Sequence, residues 1–192
     1  NTDGPSSTTY HASSVNILTP TFVDMNRDGI PEILIGNKIF DSTNGNLLCQ
    51  TPVAELTGGV GVISVPIAED IFQDGTTRFI TGNRIFKPNA ALSSMTLERT
   101  IAASVHTSDP DRPASPPAIS NGGRAVIADM DLDGNPEIIV STIIPSTTYS
   151  FIYIATPRTG AVLASKIIPA ANASSYPFVG DIDGDGRPEI VF

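Results

Sequence analysis

Asp24-Met25-Asn26-Arg27-Asp28-Gly29-Ile30-Pro31-Glu32, Asp129-Met130-Asp131-Leu132-Asp133-Gly134-Asn135-Pro136-Glu137 and Asp181-Ile182-Asp183-Gly184-Asp185-Gly186-Arg187-Pro188-Glu189 are one pattern written three times. The shared form is D-x-[DN]-x-D-G-x-P-E. Each copy runs into an apolar stretch: Ile33-Leu34-Ile35, Ile138-Ile139-Val140 and Ile190-Val191-Phe192. Side chains at positions one, three and five converge on one point. The glycine at position six permits the positive-φ turn that wraps the chain around that point. Hard oxygen donors in this number suit calcium, which takes about 6–8 oxygens. A plain Asp/Gly turn needs one glycine and one aspartate, not four ligand-type residues held in register through three copies.

The common helix-loop-helix calcium site does not fit. An EF-hand carries its bidentate Glu at position twelve of the loop. Here that position holds Ile35, Val140 and Phe192, and the acid stands at position nine. The β-branched run that follows reads as a buried strand. The loop therefore joins two strands.

The repeat is larger than the loop. A degraded copy begins at Asp70 and keeps Asp74 and Gly75 at positions five and six, so the first aspartates fall at 24, 70, 129 and 181. Ile35-Gly36-Asn37-Lys38-Ile39-Phe40 recurs 46 residues later as Thr81-Gly82-Asn83-Arg84-Ile85-Phe86. The turn cue Asp41-Ser42-Thr43-Asn44-Gly45 is echoed by Thr156-Pro157-Arg158-Thr159-Gly160. Repeats of about 40–50 residues with four short strands each are the signature of propeller blades. First strands are expected at Pro20–Val23, Val60–Ala68, Ala125–Ala128 and Pro177–Val179.

From about Val15 onward the chain resembles the FG-GAP/VCBS repeat family, the calcium-binding β-propellers of integrin alpha-subunit heads and many secreted bacterial proteins. The resemblance implies calcium held by side chains at positions one, three, five and nine and by the backbone carbonyl at seven. Carried onto this chain, the sets are Asp24, Asn26, Asp28, Ile30 and Glu32; Asp129, Asp131, Asp133, Asn135 and Glu137; and Asp181, Asp183, Asp185, Arg187 and Glu189. The second repeat departs from the pattern, with Phe72 at position three and Arg78 at position nine. No metal is expected there, and Arg78 is placed to neutralise Asp70 and Asp74 instead.

The expected fold is all-β, a propeller of four-stranded blades with about three and a half blades present. A polar segment, residues 1–14, precedes blades at about 15–56, 57–105, 118–169 and an incomplete 174–192. Closed propellers have about 4–8 blades. A longer parent chain or a neighbouring subunit is therefore expected to complete this one, with Ser6–Ser14 a candidate strand donor. The Pro-rich stretch 107–117 reads as a stiff surface loop, and 145–150 as a hairpin tip.

The net charge of −9 is mainly a property of the loops, which hold 11 of the 20 acidic residues. Three Ca²⁺ ions would leave about −3. No basic patch with stacking aromatics suggests nucleic acid, and no apolar run approaches the roughly 18 residues of a membrane span. Cys49 is alone, which excludes an internal disulfide framework. It reads as a small buried residue. His11 and His106 offer no zinc pair, and Asn172-Ala173-Ser174 fits a glycosylation acceptor. Weak calcium loops fill at extracellular concentrations, so an extracellular or cell-surface location is expected.

Two function classes follow. The first is a non-enzymatic module for adhesion, recognition or assembly, with a protein or glycan ligand or identical subunits as partners. The second is a calcium-dependent polysaccharide lyase or hydrolase. The acids outside the three complete loops (Asp3, Asp41, Glu55, Glu69, Asp70, Asp74, Glu98, Asp109 and Asp111) form no recognisable acid/base motif, and no G-x-S-x-G elbow is present. The first class is favoured, with no catalytic residue assigned. A polymer subunit completed by strand exchange is a related alternative.

Overall fold

The computed structural model describes residues 19–52, 65–102, 104, 122–144, 149–168 and 176–191. The polar segment 1–14, the Pro-rich stretch 107–117, both histidines and Asn172 lie outside the described residues. So do residues 145–148 of the expected hairpin tip. Its flanks, Ile143 and Ser150, pair across the hairpin.

The described residues fold as four antiparallel sheets, three of them four-stranded meanders and the fourth a single pair of strands. The first sheet contains β1 (Thr21–Val23), β2 (Glu32–Ile35), β3 (Lys38–Phe40) and β4 (Leu47–Gln50). The second contains β5 (Ile67–Glu69), β6 (Arg78–Thr81), β7 (Arg84–Pro88) and β8 (Met95–Thr100). The third contains β9 (Arg124–Ala128), β10 (Glu137–Ile143), β11 (Ser150–Ala155) and β12 (Val162–Ile168). The fourth pairs β13 (Phe178–Gly180) with β14 (Glu189–Val191). One expected strand is shorter than the sequence suggested. Pairing in β5 begins at Ile67, and Val65 and Pro66 stay outside it. Pro66 has no N–H to give a ladder.

Turn chemistry explains the meander. The Asp-rich loop joins the first two strands of every sheet. Gly36-Asn37 and Gly82-Asn83 close two-residue hairpins to the third strand, with the glycines at φ 59° and 56°. A Cβ on Gly82 would lie 2.9 Å from the Gly123 carbonyl oxygen, so glycine is required there twice over. The asparagine of each turn then ties down the residue after the fourth strand. The Asn83 carbonyl accepts from Ile101 N at 2.8 Å, and Asn37 accepts from Thr51 N at 2.9 Å.

Alternation within the strands buries two faces. Leu34, Ile39 and Cys49 of the first sheet pack with Phe79, Phe86, Leu92 and Met95 of the second. Ile80 and Ile85, on the other face of that second sheet, pack with Ile138, Val140, Phe151, Tyr153 and Ala155 of the third. The second sheet is therefore sandwiched, which explains why β6 is apolar on successive residues instead of alternate ones. Phe79 and Phe86 meet edge-on, with ring centroids 6.3 Å apart. Burial pushes the Cys49 thiol up to about 11, as befits a packing residue and not a nucleophile.

Because Phe86 is fully buried in the first of these joints, Phe86→Ala is expected to cost about 3–5 kcal/mol in denaturant unfolding. Leu163→Ala, at an exposed position, should change stability by no more than about 0.5 kcal/mol.

Candidate metal centres

All four Asp-rich loops have one backbone geometry. The glycine at position six is left-handed in each, with Gly29, Gly75, Gly134 and Gly186 at φ 85–89°. Position four is left-handed too: Arg27 at 64°, Gln73 at 51°, Leu132 at 63° and Gly184 at 79°. The aspartate at position one organises this turn. One of its oxygens accepts the position-six N–H at 2.9 Å in loops one, three and four and at 2.7 Å in loop two. The aspartate at position five accepts the N–H of position seven at 2.7–3.0 Å in all four. The carboxylates are thus fixed by backbone donors, with oxygens left over.

The glutamate at position nine opens the second strand and points back into the loop. Glu32, Glu137 and Glu189 accept the backbone N–H of Met25, Met130 and Ile182 at 2.8, 2.9 and 2.8 Å. Glu32 and Glu137 are buried. Burial pushes both carboxyls above the usual carboxylate range. The Met25 and Met130 N–H groups pull the other way, and neighbouring loop carboxylates add to the rise. Two buried acids beside other acids are an arrangement that a cation would relieve.

The third and fourth loops gather their acids most closely. Asp129, Asp131 and Glu137 each offer an oxygen within 4.8 Å of the others, as do Asp181, Asp183 and Glu189. Asp133 and Asp185 stand at position five beside them. These two clusters could hold a metal ion. In the first loop Asn26 takes position three. Its Nδ2 donates to Asp28 Oδ2 at 2.9 Å, and its Oδ1 accepts from Asp28 N at 3.0 Å. Asn26, Asp28 and Glu32 line a small pocket with Asp41 and Thr43, so solvent ions can approach these oxygens. Ile30, Asn135 and Arg187 sit at position seven, where their N–H groups are the donors to position five.

The second loop supplies the comparison within the molecule. Arg78 replaces the position-nine glutamate, and its buried guanidinium lies among the carboxylates. It contacts Asp74 through both terminal nitrogens, with Nη2 donating to Oδ2 at 2.7 Å, and it stands 3.7 Å from Asp70. Its Nε donates to Glu98 Oε2 at 3.0 Å, and its Cζ lies over the Phe72 ring, 4.6 Å from the centroid. The Arg78 hydrogen bonds hold the Asp74 carboxyl well below the usual range, and the same contacts push the guanidinium up. Phe72 at position three thus serves the arginine, as an apolar lid that a metal ligand set would not use.

Two features escaped the sequence reading. Glu98, placed only among unassigned acids, is a partner of Arg78 from β8. The left-handed residue at position four was also missed, although Gly184 at that position in the fourth loop was its one visible sign.

The structure therefore defines a class: antiparallel-sheet repeats carrying Asp-rich loops between their first and second strands. A family model described as FG-GAP-like repeat matches residues 129–192, from the Asp-rich loop of the third sheet through the fourth sheet. No curated protein and no solved structure matches the chain.

Two outcomes test this geometry. Leu132 is exposed and left-handed, so Leu132→Gly is expected to stabilise by up to about 1 kcal/mol in thermal unfolding. Arg78→Met should lower the melting temperature, by an amount that depends on pH. Asp74 has a depressed folded-state value, so its pairing stabilises fully above the unfolded value of about 3.9 and fades as pH falls through the folded one. The gap between wild type and Arg78→Met should narrow on acidification from about pH 6 to about pH 2.

Proposed function

We propose that this chain is a calcium-binding β-propeller module, extracellular or at the cell surface, that acts in adhesion, recognition or assembly and not as an enzyme. One observation carries the reading. Three loops present oxygen donors at the same four positions, with Asn26 for aspartate at position three of the first, and the second loop, which lacks the position-nine glutamate, holds a guanidinium among its carboxylates. The loop is thus a cation cradle, and Arg78 is a built-in stand-in for the ion. Side-chain oxygens of Asp24, Asn26, Asp28 and Glu32, of Asp129, Asp131, Asp133 and Glu137, and of Asp181, Asp183, Asp185 and Glu189 would hold Ca²⁺. The carbonyls of Ile30, Asn135 and Arg187 would complete each set. An all-oxygen, carboxylate-rich set favours a hard cation of calcium's coordination number.

The propeller reading rests on how the first strands gather. Thr21 Oγ1 donates to the Pro66 carbonyl at 3.0 Å, linking the first sheet to the second. Val65 N donates to Tyr176 OH at 3.3 Å, which reaches from the second sheet to the fourth. The Arg124 guanidinium lies 4.1 Å above the same Tyr176 ring and joins the third. Segments 111 residues apart meeting at the first strands suit blades arranged about a common axis. Extracellular calcium is abundant enough to fill loops of this kind. The loops then supply stiff, ordered surface, and the module binds a protein or glycan ligand or other subunits.

Calcium titration followed by calorimetry and thermal melting tests the metal reading. Three equivalents are expected, and each site stabilises by about 2.7 kcal/mol when the ion stands at 100 times its dissociation constant. Asp131→Ala should remove one equivalent, and Asp70→Ala none. A melting curve unchanged by chelator would sink the proposal.

A further inference from the structure

The second loop is tied to the third sheet at two points. Gln73 Nε2 donates to the Gly134 carbonyl at 2.6 Å, and Arg158 Nη2, from the turn between β11 and β12, donates to the Phe72 carbonyl. The peptide joining Phe72 to Gln73 is thereby held at both ends, because Gln73 N donates to the Asp70 carbonyl at 2.9 Å. The Gln73 side chain therefore leaves from a fixed backbone, at a left-handed φ of 51°.

What it reaches is the peptide that orients a carboxylate. Gly134 is position six of the third loop, and the N–H of the same peptide group belongs to Asn135. That N–H donates to Asp133 Oδ1 at 2.7 Å. One peptide plane thus accepts from Gln73 on its oxygen and donates to the position-five acid from its nitrogen. Hydrogen bonds in series polarise one another, so the first strengthens the second. The plane also sets where the Asn135 carbonyl at position seven begins. Asp133 is ordered before any ion arrives, and groups ordered beforehand bind more tightly.

Position four of the first loop leans on its neighbour in the same way. Arg27 Nη2 stands 4.0 Å from Asp70 Oδ2, and its Nη1 lies 3.9 Å from the place a Cβ on Gly75 would take. Position four of the third loop breaks the series. It is Leu132, exposed and with no donor in its side chain.

We infer that Gln73 is a positioning residue for a divalent cation in the third loop, acting across the sheet boundary through the peptide between Gly134 and Asn135. The inference rests on the reading of the complete loops as calcium cradles and adds to it a residue outside every ligand set.

Calorimetric calcium titration of the full chain in two backgrounds tests this. Asn26→Ala with Asp183→Ala leaves the third loop as the complete one, and Asp131→Ala leaves the first and fourth. Gln73→Leu removes the donor and installs the side chain that Leu132 already carries at a left-handed φ of 63°. In the first background it should weaken calcium binding by about three- to tenfold, as loss of one hydrogen bond implies. In the second background affinity should stay within about twofold. Gln73→Gly, matching Gly184 of the fourth loop, takes the place of Gln73→Leu should that variant fail to fold, and the same loss is expected. A contact that serves structure alone would lower the melting temperature in chelator and leave the third loop's affinity unchanged. That result, or an equal loss in both backgrounds, overturns the proposal and leaves the metal reading standing. No calcium bound by the third loop in the first background overturns both.

Discussion

Concentrated negative charge at one end of each sheet is the constraint on which the rest of this structure depends. The Asp-rich loop must reverse the chain between the first two strands of a sheet. It does so by pinning backbone N–H groups on carboxylates, and those carboxylates then crowd one another. Coulomb repulsion between like charges a few ångströms apart is worth about 1 kcal/mol even in water and more near a protein surface. A positive charge at its centre relieves a turn built this way. The second loop supplies one covalently, through Arg78. In the others, the position-nine glutamate adds a further acid, and in the third and fourth loops the gathered acids could hold a metal ion.

The second loop also occupies the middle of a chain of loops. The Arg27 guanidinium of the first loop stands 4.0 Å from Asp70. Gln73, at the same left-handed position four, donates to the Gly134 carbonyl of the third at 2.6 Å. Arg158, from the turn between β11 and β12, donates to the Phe72 carbonyl. Position four thus sends a side chain onto the next loop in two successive cases. The left-handed backbone there turns that side chain away from its own cradle. Strain at Arg27 and Gln73 is offset by contacts that tie neighbouring sheets together at their loop ends.

Much of this was legible in the sequence because the loop motif is dense. Aspartates and glycine in fixed register leave little conformational choice, and a β-branched run must follow as a strand. The Gly-Asn turns were legible for the same reason, since Gly36 and Gly82 repeat at equal distance from their loops. Glu98 was not legible. It meets Arg78 only through the β6–β7–β8 register, and that register shifts at a bulge between Ile85 and Phe86. Counting residues along the strands misplaces such a pair. Pro66 was a readable warning that the second sheet's first strand starts late, outweighed by the apolar run around it. The two faces of each sheet were hidden too. Period-two alternation tells that faces differ, but Phe22 and Phe79 look equally core-like until the sheets are stacked.

Stacking is therefore where the information of the repeat lies. A single meander with one loop cannot bury both of its rows, since each needs the opposite face of a neighbour. Within this chain the second sheet meets that requirement completely: Phe79 and Phe86 face one way, and Ile80 and Ile85 face the other. It is also the sheet whose loop carries its own cation. Its internal balance of charge and its two covered faces make it the most self-contained of the described sheets. The first, third and fourth sheets carry loops whose charge is unbalanced without an ion. A cation bound among the clustered acids of the third or fourth loop would therefore balance charge at the ends of sheets stacked around a centre whose loop already carries its own.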